Sequence, residues 1–336
     1  MWSSLKAELL NKTSHRRPEP TPPPPPPPAQ LPSNRPIKTT YRSNLVPIPP
    51  DFLTSPATDS PGPVTTTQIH WPSTPLAQYG DAYAVVLDNV LSPSECATLL
   101  ALAEASVPRN EDGGGGDDGG GGNDPWQPAL VNVGGGYEVL TREYRNSDRI
   151  VWDCQEVVDR IWRRCVLGGA EGLVRKRLAE VGGGETAITG GSRRRWEEGD
   201  AGRWKFLRVN ERMRFLRYKK GQFFKPHCDA PYFDTSDPER TIRTLFTIHV
   251  YLNDSKAEAG EDAELVGGAT SFFSSDEKTK LDVNPKAGRV LIFQHHRLLH
   301  SGDDVLTGIK YSMRTDIMYE YVKDIKDKED EGKGKV

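Results

Sequence analysis

From Arg212 to Tyr321 the chain passes through five short β-type segments with no helix-length pattern between them. That texture narrows the fold more than any other feature of the sequence. The segments are Met213–Tyr218, Ile242–Leu252, Ala269–Phe273, Arg289–Phe293 and Lys310–Tyr321, divided by turn residues. Strands in such a series close into an antiparallel sandwich or barrel, because a parallel sheet needs crossover helices between them. In Thr247-Ile248-His249-Val250-Tyr251-Leu252 polar and apolar residues alternate, so one face of that strand looks onto something polar. A barrel mouth holding a polar site fits this pattern.

Upstream the chain reads differently. Asp81–Asp88 is a short apolar run rich in strand formers, followed by Ser92-Pro93-Ser94-Glu95, a capping box with proline at the first helical position. The spacing predicts a helix from Pro93 to about Ser106 that buries Leu99, Leu100 and Leu102. A second amphipathic helix is predicted from Asp153 to Cys165. Asp153 and Glu156 would cap it, and Val157, Val158, Ile161 and Trp162 form its apolar stripe. The expected class is mainly β with flanking helices (α+β): a cap over residues 81–205, then a β core over 206–322.

Proline and glycine mark what this reading leaves outside the core. Of the 27 prolines, 19 lie in the first 80 residues, and 21 of the 32 glycines lie between Gly113 and Gly202. Residues 1–80 therefore read as a disordered arm, whose run Pro22–Pro28 favours polyproline II, either a spacer or a ligand for a proline-reading module. Inserts at about 111–124 and 168–202 and a charged tail, 323–336, are likewise expected to be disordered. The triplet Arg193-Arg194-Arg195 in the second insert reads as a solvated charge run. No stretch reaches the ~20 apolar residues of a membrane span. A net charge of −3, from 44 basic and 47 acidic residues, gives no general pull on nucleic acid. Cys96, Cys154, Cys165 and Cys228 form no CxxC pair, and residues 1–17 hold no apolar leader, so free thiols and a cytoplasmic or nuclear location are expected. Lys6, Lys12, Arg16 and Arg17 leave a mitochondrial presequence as the alternative, though Glu8 interrupts it.

Five of the seven histidines, His227, His249, His295, His296 and His300, lie in the β-rich third. In His227-Cys228-Asp229 an imidazole and a carboxylate stand at i and i+2, the spacing that places two side chains on one side of a strand. A histidine from a distant strand would complete a two-His, one-carboxylate facial set, which leaves open positions on Fe(II) for oxygen chemistry. His300 is the candidate. Lys310 follows it by ten residues across turn-forming Ser301–Asp304 and Thr307-Gly308, so the lysine could hold the far carboxylate of a dicarboxylic cosubstrate.

Residues Arg212–Tyr321 resemble the iron- and 2-oxoglutarate-dependent dioxygenases, specifically their prolyl 4-hydroxylase-like branch. The stretches that carry the resemblance are Arg217-Tyr218, eight residues, then His227-Cys228-Asp229; Gly267-Gly268-Ala269-Thr270-Ser271-Phe272; and His300-Ser301-Gly302 with Gly308-Ile309-Lys310-Tyr311. The resemblance implies a double-stranded β-helix, or jelly roll, preceded by helices. It implies Fe(II) on His227, Asp229 and His300, 2-oxoglutarate on Lys310 and Tyr218, a looser role for Thr247 in the same pocket, and ascorbate as a further requirement. His295, His296 and Arg314 compete for these roles and rank below His300 and Lys310. His249 matches no ligand position, and Cys228 should point away from the metal. The implied reaction consumes O2, releases succinate and CO2, and hydroxylates a protein or peptide substrate, peptidyl proline first. Trp126–Asn132 and Arg145–Arg149 could line the substrate groove. The same chemistry on another protein residue, a small metabolite or nucleic acid stays open, as does an inactive jelly roll serving as an interaction module.

Overall fold

The computed structural model describes residues 35–55, 59, 62–108, 124–167, 171–190 and 202–323. The polyproline run, Gly113–Gly122, Arg193–Arg195 and the tail after residue 323 lie outside them. The elements below all belong to one unit, Pro36–Val336.

Two antiparallel sheets face each other as a jelly roll. The large one has the strand order Thr65–Gln68, Ala84–Asp88, Val290–Gln294, Ile242–Tyr251, Lys310–Lys323, Arg212–Tyr218, Asp148–Asp153, Gln127–Pro128, with Gly202–Val209 also paired to the Lys310 strand. The small sheet runs Lys280–Val283, Thr270–Phe273, His300–Gly302, Phe223–His227, Arg145–Asn146. Each of the five β-type segments read from the sequence is a strand. Across the gap Phe272 of the small sheet meets Phe293 of the large one edge-on, at 5.5 Å between ring centres.

The large sheet has two unlike faces. On the strand Ile242–Tyr251, Phe246, Ile248 and Val250 belong to an apolar core with the helices, whereas Thr247, His249 and Tyr251 point the other way. On its neighbour, Met313 and Ile317 join the same core, while Lys310, Ser312, Arg314 and Asp316 alternate with it. The helix Pro93–Ala105 contributes Cys96, Leu99 and Ala103 to that core; Leu100 and Leu102 are only partly buried at its edge. Its capping box forms as expected, and Glu95 does more than cap. Its carboxylate accepts from the Ser92 amide at 2.8 Å and from both Arg164 nitrogens at 2.7 Å, tying the first helix to the second, Gln155–Leu167.

Three expectations change. The segment up to residue 80 is not all a disordered arm: Thr65–Gln68 pairs with Ala84–Asp88, and buried Trp71 and Leu76 pack beside Phe272 and Phe293. Trp71 fits there because its indole N–H donates to the Ala82 carbonyl at 2.6 Å. Phe52 and Leu53 also enter the helical core. The insert expected over 168–202 is ordered at 171–190, where Val174, Leu178 and Val181 are fully buried and Tyr319 donates to the Leu178 carbonyl. Glycine content hid these anchors because they are few and widely spaced. Finally, Asp153 does not cap the second helix. Its two oxygens take the Arg212 guanidinium at 2.9 and 2.7 Å on the neighbouring strand. Among the described residues no helix is long and apolar enough to cross a membrane.

Candidate metal centre

His227 ends one strand of the small sheet and His300 begins the next, and the two are direct partners in its antiparallel register. Both imidazoles are oriented by the backbone: Nδ1 of His227 lies 2.8 Å from the Lys225 carbonyl, and Nδ1 of His300 lies 3.0 Å from the Leu298 carbonyl. A ring nitrogen facing a carbonyl oxygen carries the proton, so each Nε2 offers its lone pair inward. Asp229 completes the group, one oxygen 3.8 Å from each Nε2, and the three donor atoms lie within 4.8 Å of one another. Two neutral imidazoles and one carboxylate on one side of a point are the donor set suited to a divalent iron.

The electrostatics agree. Burial would raise the Asp229 carboxyl, but Arg314, His300, His295 and His227 outweigh it and hold the group below the usual carboxylate range. Burial lowers both candidate ligand histidines, His227 to about 3 with help from His300, so neither would compete with a metal by protonating near neutrality. Arg314 Nη1 stands 3.0 Å from Asp229 Oδ1, and Thr247 Oγ1 donates to Oδ2 at 2.5 Å. Thr247 was expected in the cosubstrate pocket; its hydroxyl meets Asp229, the candidate carboxylate ligand.

Lys310 is 1% exposed and, among the described residues, has no ion-pair partner. Its ammonium hangs 5.2 Å from the centre of the Tyr218 ring and 5.6 Å from that of Tyr251, and burial lowers it to about 8. Tyr218 is its register partner on the adjacent strand. Gly268, at φ +73°, makes room for the lysine stem: a Cβ there would lie 3.1 Å from Lys310 Cδ. A buried cation left without a partner in a wall of aromatic rings suits a carboxylate from outside the chain. The residues present therefore fit both groups, iron on the triad and the distal carboxylate of 2-oxoglutarate on Lys310.

The competitors are placed elsewhere. Arg314 is occupied by Asp229 and Asp316, each at 3.0 Å. His295 faces Asp316 at 3.4 Å, and exposed His296 packs on Gly190. Cys228 is exposed, as its intermediate position demands. One feature was not singled out as a pocket part from the sequence. Tyr251 donates to Thr270 Oγ1 at 2.7 Å; His249, expected to line the pocket or to be structural, lies 4.7 Å from it and keeps an Nε2 without a hydrogen-bond partner among the described residues. The alternation along Thr247–Leu252 was the available signal for both.

Residues 213–315 match the family model described as the 2OG-Fe(II) oxygenase superfamily. No curated protein matches the chain. Among solved structures, a viral collagen prolyl hydroxylase from Paramecium bursaria chlorella virus-1, in a 2OG complex, is 20% identical with a TM-score of 0.38, over 71% of this chain and 97% of its own. A prolyl-4-hydroxylase from Pseudomonas putida is 14% identical with a TM-score of 0.38, over 79% and 96%. A prolyl hydroxylase from Trichoplax adhaerens, in complex with a hypoxia inducible factor peptide fragment, is 12% identical with a TM-score of 0.40, over 71% and 85%. The segment that matches the 2OG-Fe(II) oxygenase superfamily model begins in the Tyr218 strand and ends in the Lys310 strand, with the candidate metal ligands His227, Asp229 and His300 between them.

Proposed function

We propose that this chain is an Fe(II)- and 2-oxoglutarate-dependent dioxygenase that hydroxylates a protein side chain, with peptidyl proline as the first substrate. The observation that carries the chemistry is buried Lys310, without an ion-pair partner among the described residues, on the same sheet face as Thr247, which meets Asp229 of the His227–Asp229–His300 group. The proline reading rests on the motif pattern: the Tyr218-to-His227 spacing, the Gly267-Gly268 step and a lysine, not an arginine, at position 310.

Iron and 2-oxoglutarate, once bound, supply the oxidising power that converts a C–H into a C–OH bond. The chain's part is positional. His227, Asp229 and His300 would hold iron from one side, leaving the opposite side for cosubstrate and oxygen. Thr247 and Arg314 fix the orientation of Asp229, and Arg314 keeps it ionised. Lys310 anchors the far end of the cosubstrate. Tyr218, Tyr251 and Phe293 keep the chamber walls apolar, which strengthens each charge contact inside.

The test uses the full chain. Under argon, Fe(II) plus 2-oxoglutarate should give the visible metal-to-ligand charge-transfer band, lost in His300→Ala and needing far more 2-oxoglutarate in Lys310→Ala. Admitting oxygen with proline-containing peptides, with and without ascorbate, should then release succinate in step with hydroxyproline. Absence of the band in folded wild type would sink the oxygenase reading. Succinate coupled to a different hydroxylated residue would keep the chemistry and replace the substrate.

A further inference from the structure

Arg145, Arg149, Arg214 and Arg314 lie near enough to repel one another, and three of the four have partners. Arg149 pairs with Glu138 at 2.9 Å, Arg214 with Asp316 at 3.2 Å, and Arg314 with Asp229 at 3.0 Å. The fourth is Arg145. It is 8% exposed, and among the described residues its guanidinium has no ion-pair partner and its buried Nε no hydrogen-bond partner. It lies 4.6 Å from the centre of the Phe224 ring, its register partner across the small sheet, and Phe224 in turn stacks on His227 at 3.7 Å. One ring thus separates the guanidinium from a metal ligand.

A charge held this way needs a counter-charge. An unpaired buried guanidinium is costly, and its planar fork fits a carboxylate better than any other common group. Lys310, also without an ion-pair partner among the described residues, sits between Tyr218 and Tyr251, so it and Arg145 are two separate cationic seats. We propose that Arg145 is a second carboxylate seat and that it selects substrates carrying an acidic group beside the residue to be hydroxylated. This rests on the oxygenase reading above and adds the substrate class to it. The carboxylate could in principle come from the cosubstrate's other end, and the experiment separates the two sources.

The full chain, loaded with Fe(II) and 2-oxoglutarate under argon, is titrated calorimetrically with two blocked peptide pools, Glu-Pro-Xaa and Xaa-Pro-Glu, and with their Gln counterparts. The acidic pools should bind about tenfold more tightly than the Gln pools, the effect of one charge-assisted pair. Arg145→Met should erase that preference and Arg145→Lys keep part of it. Both variants should form the charge-transfer band at the wild-type 2-oxoglutarate concentration. Arg145→Met should also melt no lower than wild type, since it removes a buried charge with no partner. Equal binding of the acidic and Gln pools, no binding of either, or a preference that survives Arg145→Met would overturn the proposal. A raised 2-oxoglutarate requirement in Arg145→Met would reassign the guanidinium to the cosubstrate, and a lower melting temperature would reveal a structural role. No band in wild type would instead remove the oxygenase reading beneath it.

Discussion

The two faces of the large sheet are built from the same strands yet answer to different physics. Toward the helices, Phe246, Ile248, Val250, Met313 and Ile317 are fully buried among apolar neighbours, and each contributes roughly 1.5–3 kcal/mol by leaving water. Toward the small sheet, the alternate positions hold Thr247, His249, Lys310, Arg314 and Asp316, which cost stability to bury and are held by Asp229, by one another or by aromatic rings. The comparison teaches that a β-strand can separate folding from chemistry at single-residue spacing, because its side chains alternate. One face can be altered with little effect on the other.

Substitutions can break that separation or sharpen it. The largest effect belongs to Asp229→Ala, which removes the ligand that both histidines face. The charge-transfer band and turnover should vanish, while circular dichroism shows a folded chain. On the opposite face, Phe246→Ala should cost about 3–5 kcal/mol in denaturant unfolding and leave turnover per folded molecule unchanged. Thr247→Val keeps the shape but removes the hydrogen bond to Asp229; iron affinity, measured by chelator competition, should fall about 10–100-fold. The smallest effect is set by pH. Lys310 in the open pocket sits near 8, so it is charged below that pH and loses its charge as pH rises through it. KM for 2-oxoglutarate should therefore climb above about pH 8, approaching tenfold per pH unit, and Lys310→Arg should flatten the rise. A stability loss in Thr247→Val as large as that in Phe246→Ala would show that the faces are not independent.

The sequence made the inner face more legible than the outer shell around it. His227, Asp229, His300 and Lys310 stood out because they fall at strand ends and turns in a compact motif: His227 closes one strand, Asp229 follows it, and His300 and Lys310 open two others. Arg145 was visible only as part of a polar stretch, since nothing in Arg145-Asn146-Ser147 says that its guanidinium lacks a partner; that depends on which carboxylates fold nearby. Trp71 and Leu76 were hidden differently. They are isolated apolar residues in a proline-rich region, and only a partner surface, the open end of the barrel, gives them a reason to be buried. Val174, Leu178 and Val181 were masked by surrounding glycines in the same way. That Thr247 meets Asp229 was not legible, because a strand position fixes which face a hydroxyl looks from, not which oxygen it finds there.

The register pairing of His227 with His300 has a consequence for the life of the polypeptide. These residues are 73 positions apart, and the segment between them contains the strands Ile242–Tyr251, Thr270–Phe273 and Val290–Gln294. An ion held by both would act as a reversible cross-link closing that loop, and loop-closure entropy alone values such a link at about 4 kcal/mol. Iron scarcity would then shorten the chain's survival against proteases as well as stop its chemistry, making the amount of protein itself a record of the metal supply.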